Sequence, residues 1–280
     1  IASTAAESTA VLTESTVSRS TAIMQAVTGV PTHLSSMATD KSLTFAKQLS
    51  SSGDRLSSGA IESISKTASN LLDASMRQFD ASLNRRRRLA EDDASLDSGA
   101  APASRRASML TGIVNDCATA IAHQHVVGEE EQAIETGLFE LRVTSNTVKG
   151  WENTQVGGGR VAVPPGAFAG QENSVEPIAS KIITYNSIGP LFYAPSAPTN
   201  DSIRGTGLVS VTFSREGEDL HIANLSQPFI VQLPVDPLQN RANAEPLCGH
   251  FDTTTQDWVV DGKLEGRTVD HTRIVCSYFH

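Results

Sequence analysis

Near Thr136 the apolar residues of this chain change their spacing, and that change limits the fold more than any single motif. Before it they recur three or four apart; after it they alternate. The first spacing lines one side of a helix, and the second lines one face of a strand. The expected class is therefore α+β. A helical subdomain is expected over residues 1–134 and an antiparallel β-sandwich over 135–280.

In the helical part, Ile23, Met24 and Val27 form one stripe, and Leu43, Phe45 and Leu49 form a second after a break at Pro31-Thr32. Ile61, Ile64, Ala68, Leu71, Leu72, Met76, Phe79 and Leu83 form a longer third. Its Met and Phe residues read as core or, alternatively, as a partner groove. Ser51-Ser52-Gly53-Asp54 and Ser57-Ser58-Gly59 read as turns or helix ends. Short helices punctuated by Ser and Thr are marginal alone, so a small bundle is expected. Between Asn84 and Arg106 the pattern collapses into a low-complexity run that reads as a disordered linker. It opens with four arginines, Arg85 to Arg88. These read either as a furin-type processing site, cut after Arg88, or as a solvated charge run balanced by Glu91, Asp92 and Asp93. Periodicity resumes with Ile113, Val114, Cys117 and Ile121, where Cys117 is expected as a buried thiol.

In the second part, strand candidates are Leu138 to Val143, Val161 to Val163, Ile178 to Tyr185, Leu208 to Phe213, Leu220 to Leu225, Phe229 to Leu233, Trp258 to Val260 and Arg273 to Phe279. Short strands with Gly, Pro, Asn and Asp between them predict a sandwich. Gly157-Gly158-Gly159 reads as a turn: it lacks the Lys-Ser/Thr of a phosphate loop and leads into no helix. Glu216, Glu218 and Asp219 read as a hairpin tip around Gly217, not as a glycosidase pair.

A net charge of −9 argues against nucleic acid or an anionic membrane as partner. No run approaches the ~20 apolar residues of a membrane span. With no initiator Met or signal-like segment, the chain is expected to be an internal piece of something longer. His123 and His125 lie near Glu129-Glu130-Glu131, but no ligand spacing supports a metal, and no cofactor is expected. Two sequons, at Asn200 and Asn224, are glycosylation candidates or unmodified surface residues.

The last stretch reads Cys248-Gly249-His250-Phe251-Asp252, then Asp257-Trp258, then Val275-Cys276-Ser277-Tyr278-Phe279-His280. It resembles the proteolysis site motif (GPS) that ends the GAIN domain of adhesion receptors and polycystin-1-like proteins. Cys248, Phe251, Asp252, Trp258, Cys276 and His280 fall at the pattern's first cysteine, aromatic–Asp pair, Trp, third cysteine and His. The chain departs from the pattern at the other cysteine pair: Lys263 follows Gly262, and Tyr278 stands at the fourth cysteine. On this reading residues 248–280 are two or three short strands stapled by a Cys248–Cys276 disulfide, with Trp258 over the bridge. The segment from Asn224 to Pro234 resembles the strand preceding the motif in polycystin-1-like chains.

The resemblance implies an extracellular GAIN-like domain at a cell surface or cilium, holding the strand that leads to the membrane. In cleaving members of the family a Thr or Ser hydroxyl attacks the preceding carbonyl. His280 matches the general base by position, with the nucleophile beyond it. His250 faces either His280 or solvent. Implied partners are the chain's own C-terminal membrane fragment, a polycystin-type channel subunit, or matrix and surface proteins. The rival reading is a non-enzymatic structural or adhesion module.

Overall fold

The helices start where the sequence offers a cap. Thr13 accepts the Thr16 amide before α1 (Glu14–Thr28), and Ser35 accepts the Ala38 amide before α2 (Ser36–Ser50). Ser57 accepts the Ala60 amide at the start of α3 (Ser58–Leu89), and α4 (Ala100–Gln124) completes the layer. These side-chain oxygens satisfy amides that a first turn leaves unpaired. The computed structural model describes residues 13–53, 56–89, 100–171, 175–186, 208–223, 225–235, 247–252, 257–270 and 272–279; for 83–89, 100–104, 251–252 and 257–258 it describes the backbone alone.

The first apolar stripe does not turn inward as expected. Met24 is buried, but Ile23 and Val27 are exposed, and Val17, Thr21 and Thr28 join Met24 in the core. The two threonines close their hydroxyls onto their own helix, Thr21 on the Ser18 carbonyl and Thr28 on that of Met24, both at 2.9 Å. So satisfied, each presents its methyl to the core. Phe45 is likewise exposed while Leu43, Ala46 and Leu49 are buried. The α3 and α4 stripes do point inward, with Ile61, Ile64, Leu71, Ile113, Cys117 and Ile121 all buried and Met76 and Phe79 packed against that core.

Both long helices run into the stretch read as a linker. α3 carries the backbone of Arg85–Arg88 and ends at Leu89, and α4 begins at Ala100; residues 90–99 lie outside the described residues. Arg106, expected at the linker's end, is a clamp in the helical layer. Its guanidinium donates to the Asp40 carboxylate (2.6 and 3.1 Å), the Gln78 side-chain oxygen (2.6 Å) and the Ser36 hydroxyl. One planar fork thus ties the start of α2 to α3 and α4. Ala, Ser and Arg around it lower the local hydropathy without preventing a helix, because Ala and Arg are strong helix formers.

Eleven strands follow among the described residues: β1 (Gln132–Glu135), β2 (Phe139–Asn146), β3 (Gln155–Val156), β4 (Val161–Ala162), β5 (Ile178–Tyr185), β6 (Leu208–Arg215), β7 (Glu218–Asp219), β8 (Phe229–Pro234), β9 (Cys248–Asp252), β10 (Asp257–Arg267) and β11 (Arg273–Tyr278). All pairings are antiparallel. One sheet runs β1-β2-β5-β6-β7 and the other β3-β4-β8-β11-β10-β9.

The first sheet is the middle of three layers. Phe139, Leu141, Val143, Ile183 and Tyr185 share one core with the helices, while Ile178, Ile182 and Phe213 share another with Val161, Phe229 and Val231 of the second sheet. The expected subdomain limit at 134/135 therefore runs through a shared helix–sheet core, and β1 begins at Gln132. All eight residues of β5 are buried, including Lys181 at 1% exposure. Lys181 is satisfied by Asp219 (2.8 Å) and the Thr119 hydroxyl (3.3 Å) on α4.

Turns close where left-handed backbone is available. Glu216 and Gly217, at φ 49° and 86°, join β6 to β7 as a two-residue hairpin turn. Gly157 to Gly159, all at positive φ, join β3 to β4, and a Cβ on Gly157 would stand 2.7 Å from Ile182. The expected strand from Leu220 to Leu225 is not formed at 220–223 or 225, and Asn224 lies outside the described residues. Leu220, Ile222 and Leu225 still pack, half-buried, against the inter-sheet core, so the alternation reports a packed face. Among the described residues, only the end amides of Leu220 and Leu225 are seen to bond to neighbouring carbonyls, those of Phe213 and Phe279.

Candidate functional site

β11 is held along both edges. Every residue from Arg273 to Tyr278 pairs with β8, and Ile274 to Ser277 pair with Arg267 to Lys263 of β10. One residue further on, the Leu225 amide donates to the Phe279 carbonyl (3.4 Å). His280 lies outside the described residues, as do Asn200 and Asn224.

β10 is long because it serves two strands in turn. Its first half pairs with β9, from Asp257↔Asp252 to Gly262↔Cys248, and its second half pairs with β11. Each ladder slips once, between Val259 and Gly262 and between Leu264 and Gly266, and such slips bend a strand. At the bend a disulfide joins Cys248 of β9 to Cys276 of β11, both buried, with Cα atoms 5.8 Å apart. Strands two apart in a flat sheet are separated by about 9.5 Å, so the three strands must close up here.

Gly262 lets them do so. A Cβ at this position would stand 2.8 Å from the Cβ of Cys248 and 2.5 Å from the ring of Tyr278. Both neighbours are tied down, one by the disulfide and the other by the Tyr278 hydroxyl, which donates to the Gly249 carbonyl (3.2 Å). Gly262→Ala is accordingly expected to lower stability by about 1–3 kcal/mol through overpacking. It is also expected to leave a fraction of the cysteines unpaired. Denaturant unfolding and thiol titration check this, and a wild-type midpoint with no free thiol at positions 248 and 276 would contradict it.

The polar groups around the junction are engaged. His250 Nδ1 lies 2.9 Å from Asp261 Oδ1 on β10, and its expected alternative partner, His280, lies outside the described residues. Burial, then the charge of Asp261, pushes the Tyr278 phenol up to about 12. The hydroxyl therefore stays protonated and able to donate at neutral pH. Phe251 and Asp252 stand opposite Trp258 and Asp257 in the β9–β10 ladder. Their side chains, and hence the expected packing of Trp258 over the bridge, lie outside the described residues. Cys117 is buried in the helical core, where desolvation pushes its thiol up to about 12 and makes it a poor nucleophile.

The histidine–acid cluster near β1 serves the fold. His125 Nε2 contacts the Glu130 carbonyl (3.0 Å), and Glu129 accepts the Val126 amide (3.2 Å). Glu131 reaches across to the second sheet. It accepts the Gly157 and Gly158 amides (2.6 and 3.0 Å) and pairs with Arg142 (3.0 Å). Arg142 and Arg160 both pair with Glu140. Burial works to raise the Glu140 pKa, but the two guanidiniums outweigh it and hold the carboxyl below its ordinary value. Among the described residues no group of three or more His, Cys, Asp or Glu side chains is placed to hold a metal.

Sequence reasoning gave no contact role to Gly249, Gly262 or Tyr278. Glycines inside strand patterns were the available signal, since they mark bulges or close backbone approach.

No family model matches the sequence, and no curated protein matches it. The fold is similar to that of a solved structure, the full extracellular region of zebrafish Gpr126/Adgrg6, an adhesion receptor. The TM-score is 0.64 at 12% identity, over 95% of this chain and 34% of that one. The chain thus spans about a third of that structure, and at this identity the likeness is one of fold.

Proposed function

We propose that this chain is a GAIN-like extracellular domain of a membrane protein. Residues 248–280 are its GPS-like motif, and its task is to hold the backbone that leads toward the membrane. The observation that carries the reading is β11 itself: paired on both edges, bridged through Cys276 to β9, and ending at Tyr278, two residues before the motif's histidine in the sequence. The fold shared with part of the Gpr126/Adgrg6 extracellular region supports a module of the adhesion-receptor kind. The buried disulfide fits an oxidising, extracellular location. Among the described residues no helix is long and apolar enough to cross a membrane. Within the family we favour the polycystin-1-like branch, on the segment from Asn224 to Pro234. A ciliary or cell-surface location, with a channel subunit or matrix protein as partner, follows from that choice.

His280 is the candidate base for self-cleavage just after it. A downstream Ser or Thr hydroxyl would lose its proton to the imidazole and attack the preceding carbonyl; the peptide C–N bond would break as the imidazolium returns the proton to the leaving nitrogen, and water would then hydrolyse the resulting ester. Because both edges of β11 are already hydrogen-bonded, scission there would leave the N-terminal fragment folded. In the full-length protein two bands are expected on a denaturing gel. His280→Ala should slow the conversion by about 10²–10⁴-fold, the usual worth of a general base. One full-length band from the wild type, unchanged by His280→Ala, would end the self-cleavage reading. It would favour a non-enzymatic adhesion module, toward which Lys263 and Tyr278, in place of the motif's second cysteine pair, already point.

A further inference from the structure

Cys276 and Tyr278 lie two apart on β11 and so share a face, and both reach β9. Cys276 does so through its bond to Cys248, and Tyr278 through its hydroxyl on the carbonyl of the next residue, Gly249. Gly262 of β10 lies in contact range of both crossings: its missing side chain is the space shared by the Tyr278 ring and the Cys248 Cβ. The junction therefore has one covalent and one non-covalent tie over the same strand, side by side. Ile274, Cys276 and Cys248 are buried beneath them, with Leu233, Leu264 and Tyr278 packed around. Immediately beyond Tyr278 come Phe279, its carbonyl held by the Leu225 amide, and then His280.

We propose that Tyr278 is a positioning residue: with the Cys248–Cys276 bridge it forms a two-point crossing from β11 onto β9. That crossing fixes the direction of the backbone at Tyr278–Phe279, and it keeps β9 docked when the bridge is reduced. The purpose rests on the proposed function; the geometry does not. Beside the β9–β10 ladder, a single tie fixes one point of β9 against β11, whereas two ties a residue apart fix its angle to β11 as well. The phenol suits the part because its ring fills the space above Gly262 while its hydroxyl, protonated at neutral pH, still finds an acceptor.

The test is hydrogen exchange of the β9 and Ser277–Phe279 amides in the full chain, oxidised and reduced, for wild type and Tyr278→Phe. Removing the hydroxyl alone, or the bridge alone, is expected to raise exchange only modestly, by about fivefold for the hydroxyl. Removing both should raise it more than the product of the single effects, because β9 then has no crossing tie. Equal exchange in reduced wild type and reduced Tyr278→Phe would overturn the proposal and make the ring a space-filler. Strictly multiplicative effects would overturn it too. If the full-length protein proves uncleaved while this coupling is found, self-cleavage falls and Tyr278 keeps its role.

Discussion

Trp151→Ala is expected to lower the stability of the folded chain by about 3–5 kcal/mol, the range for emptying a core site of this size. Trp151 is 1% exposed and sits between the sheets. Its ring meets Phe213 edge-on at 5.6 Å and Phe168 at 6.4 Å, and its indole N–H donates to the Ile178 carbonyl (3.2 Å). Phe213 in turn packs on Phe229 of β8 at 5.6 Å. Truncating the indole therefore opens the layer that seats β8, the full-length neighbour of β11. In denaturant the midpoint should fall at nearly constant m-value. Trp151→Phe should recover a large part of the loss by keeping the aromatic contact while giving up the hydrogen bond. A loss under about 1 kcal/mol for the alanine variant would mean that the sheets re-close without the ring, against the rigidity expected of close-packed cores.

Arg106→Ala is expected to cost about 2–4 kcal/mol, and Arg106→Lys nearly as much. Arg106 is 8% exposed, and its guanidinium serves partners on two other helices. Lysine keeps the charge but cannot present a planar fork to Asp40, Gln78 and Ser36 together. Breaking a fully buried pair reaches about 3–5 kcal/mol. The loss here stays lower because Asp40, 57% exposed, regains water once its partner is gone. Gln78 also keeps the Leu34 carbonyl and the Thr39 hydroxyl. Loss of helical circular dichroism on heating, with hydrogen exchange rising first at the start of α2, would be the signature. If the lysine variant unfolds with the wild type, within about 0.5 kcal/mol, the fork is unimportant and Arg106 is held by its charge alone.

How far the fold can be read from the chain varies from element to element. The α3 and α4 stripes are legible because long aliphatic residues carry them, and β5, β8 and β11 are legible because their alternation or apolar runs are bounded by turn residues. α1 is not, since half-polar threonines line its buried side and a hydropathy pattern scores them as surface. The stretch from Asn84 to Arg106 misleads in the opposite sense: low complexity reads as linker, yet its ends are helical and Arg106 is a clamp. Trp258 drew attention through the motif, whereas Trp151, buried in the core between the sheets, sits at the end of a short 3-10 helix with no pattern around it. The motif cysteines could be picked out by eye, but not Tyr278 as their neighbour in function, because nothing local says that residues 249, 262 and 278 meet.

What the amino-acid order determined by itself is local: the period of each segment, the capping Thr and Ser residues, the glycines that permit left-handed turns, and the change from helix to strand near Thr136. Backbone geometry couples only near neighbours, so a short window contains that information. Only the tertiary structure decided which strand lies beside which, that β5 is covered on both faces, and that β10 bends at Gly262 so that Cys248 and Cys276 meet. Those outcomes depend on burying area and pairing ladder edges between residues far apart in the chain, and such free energy exists only once all the partners are present.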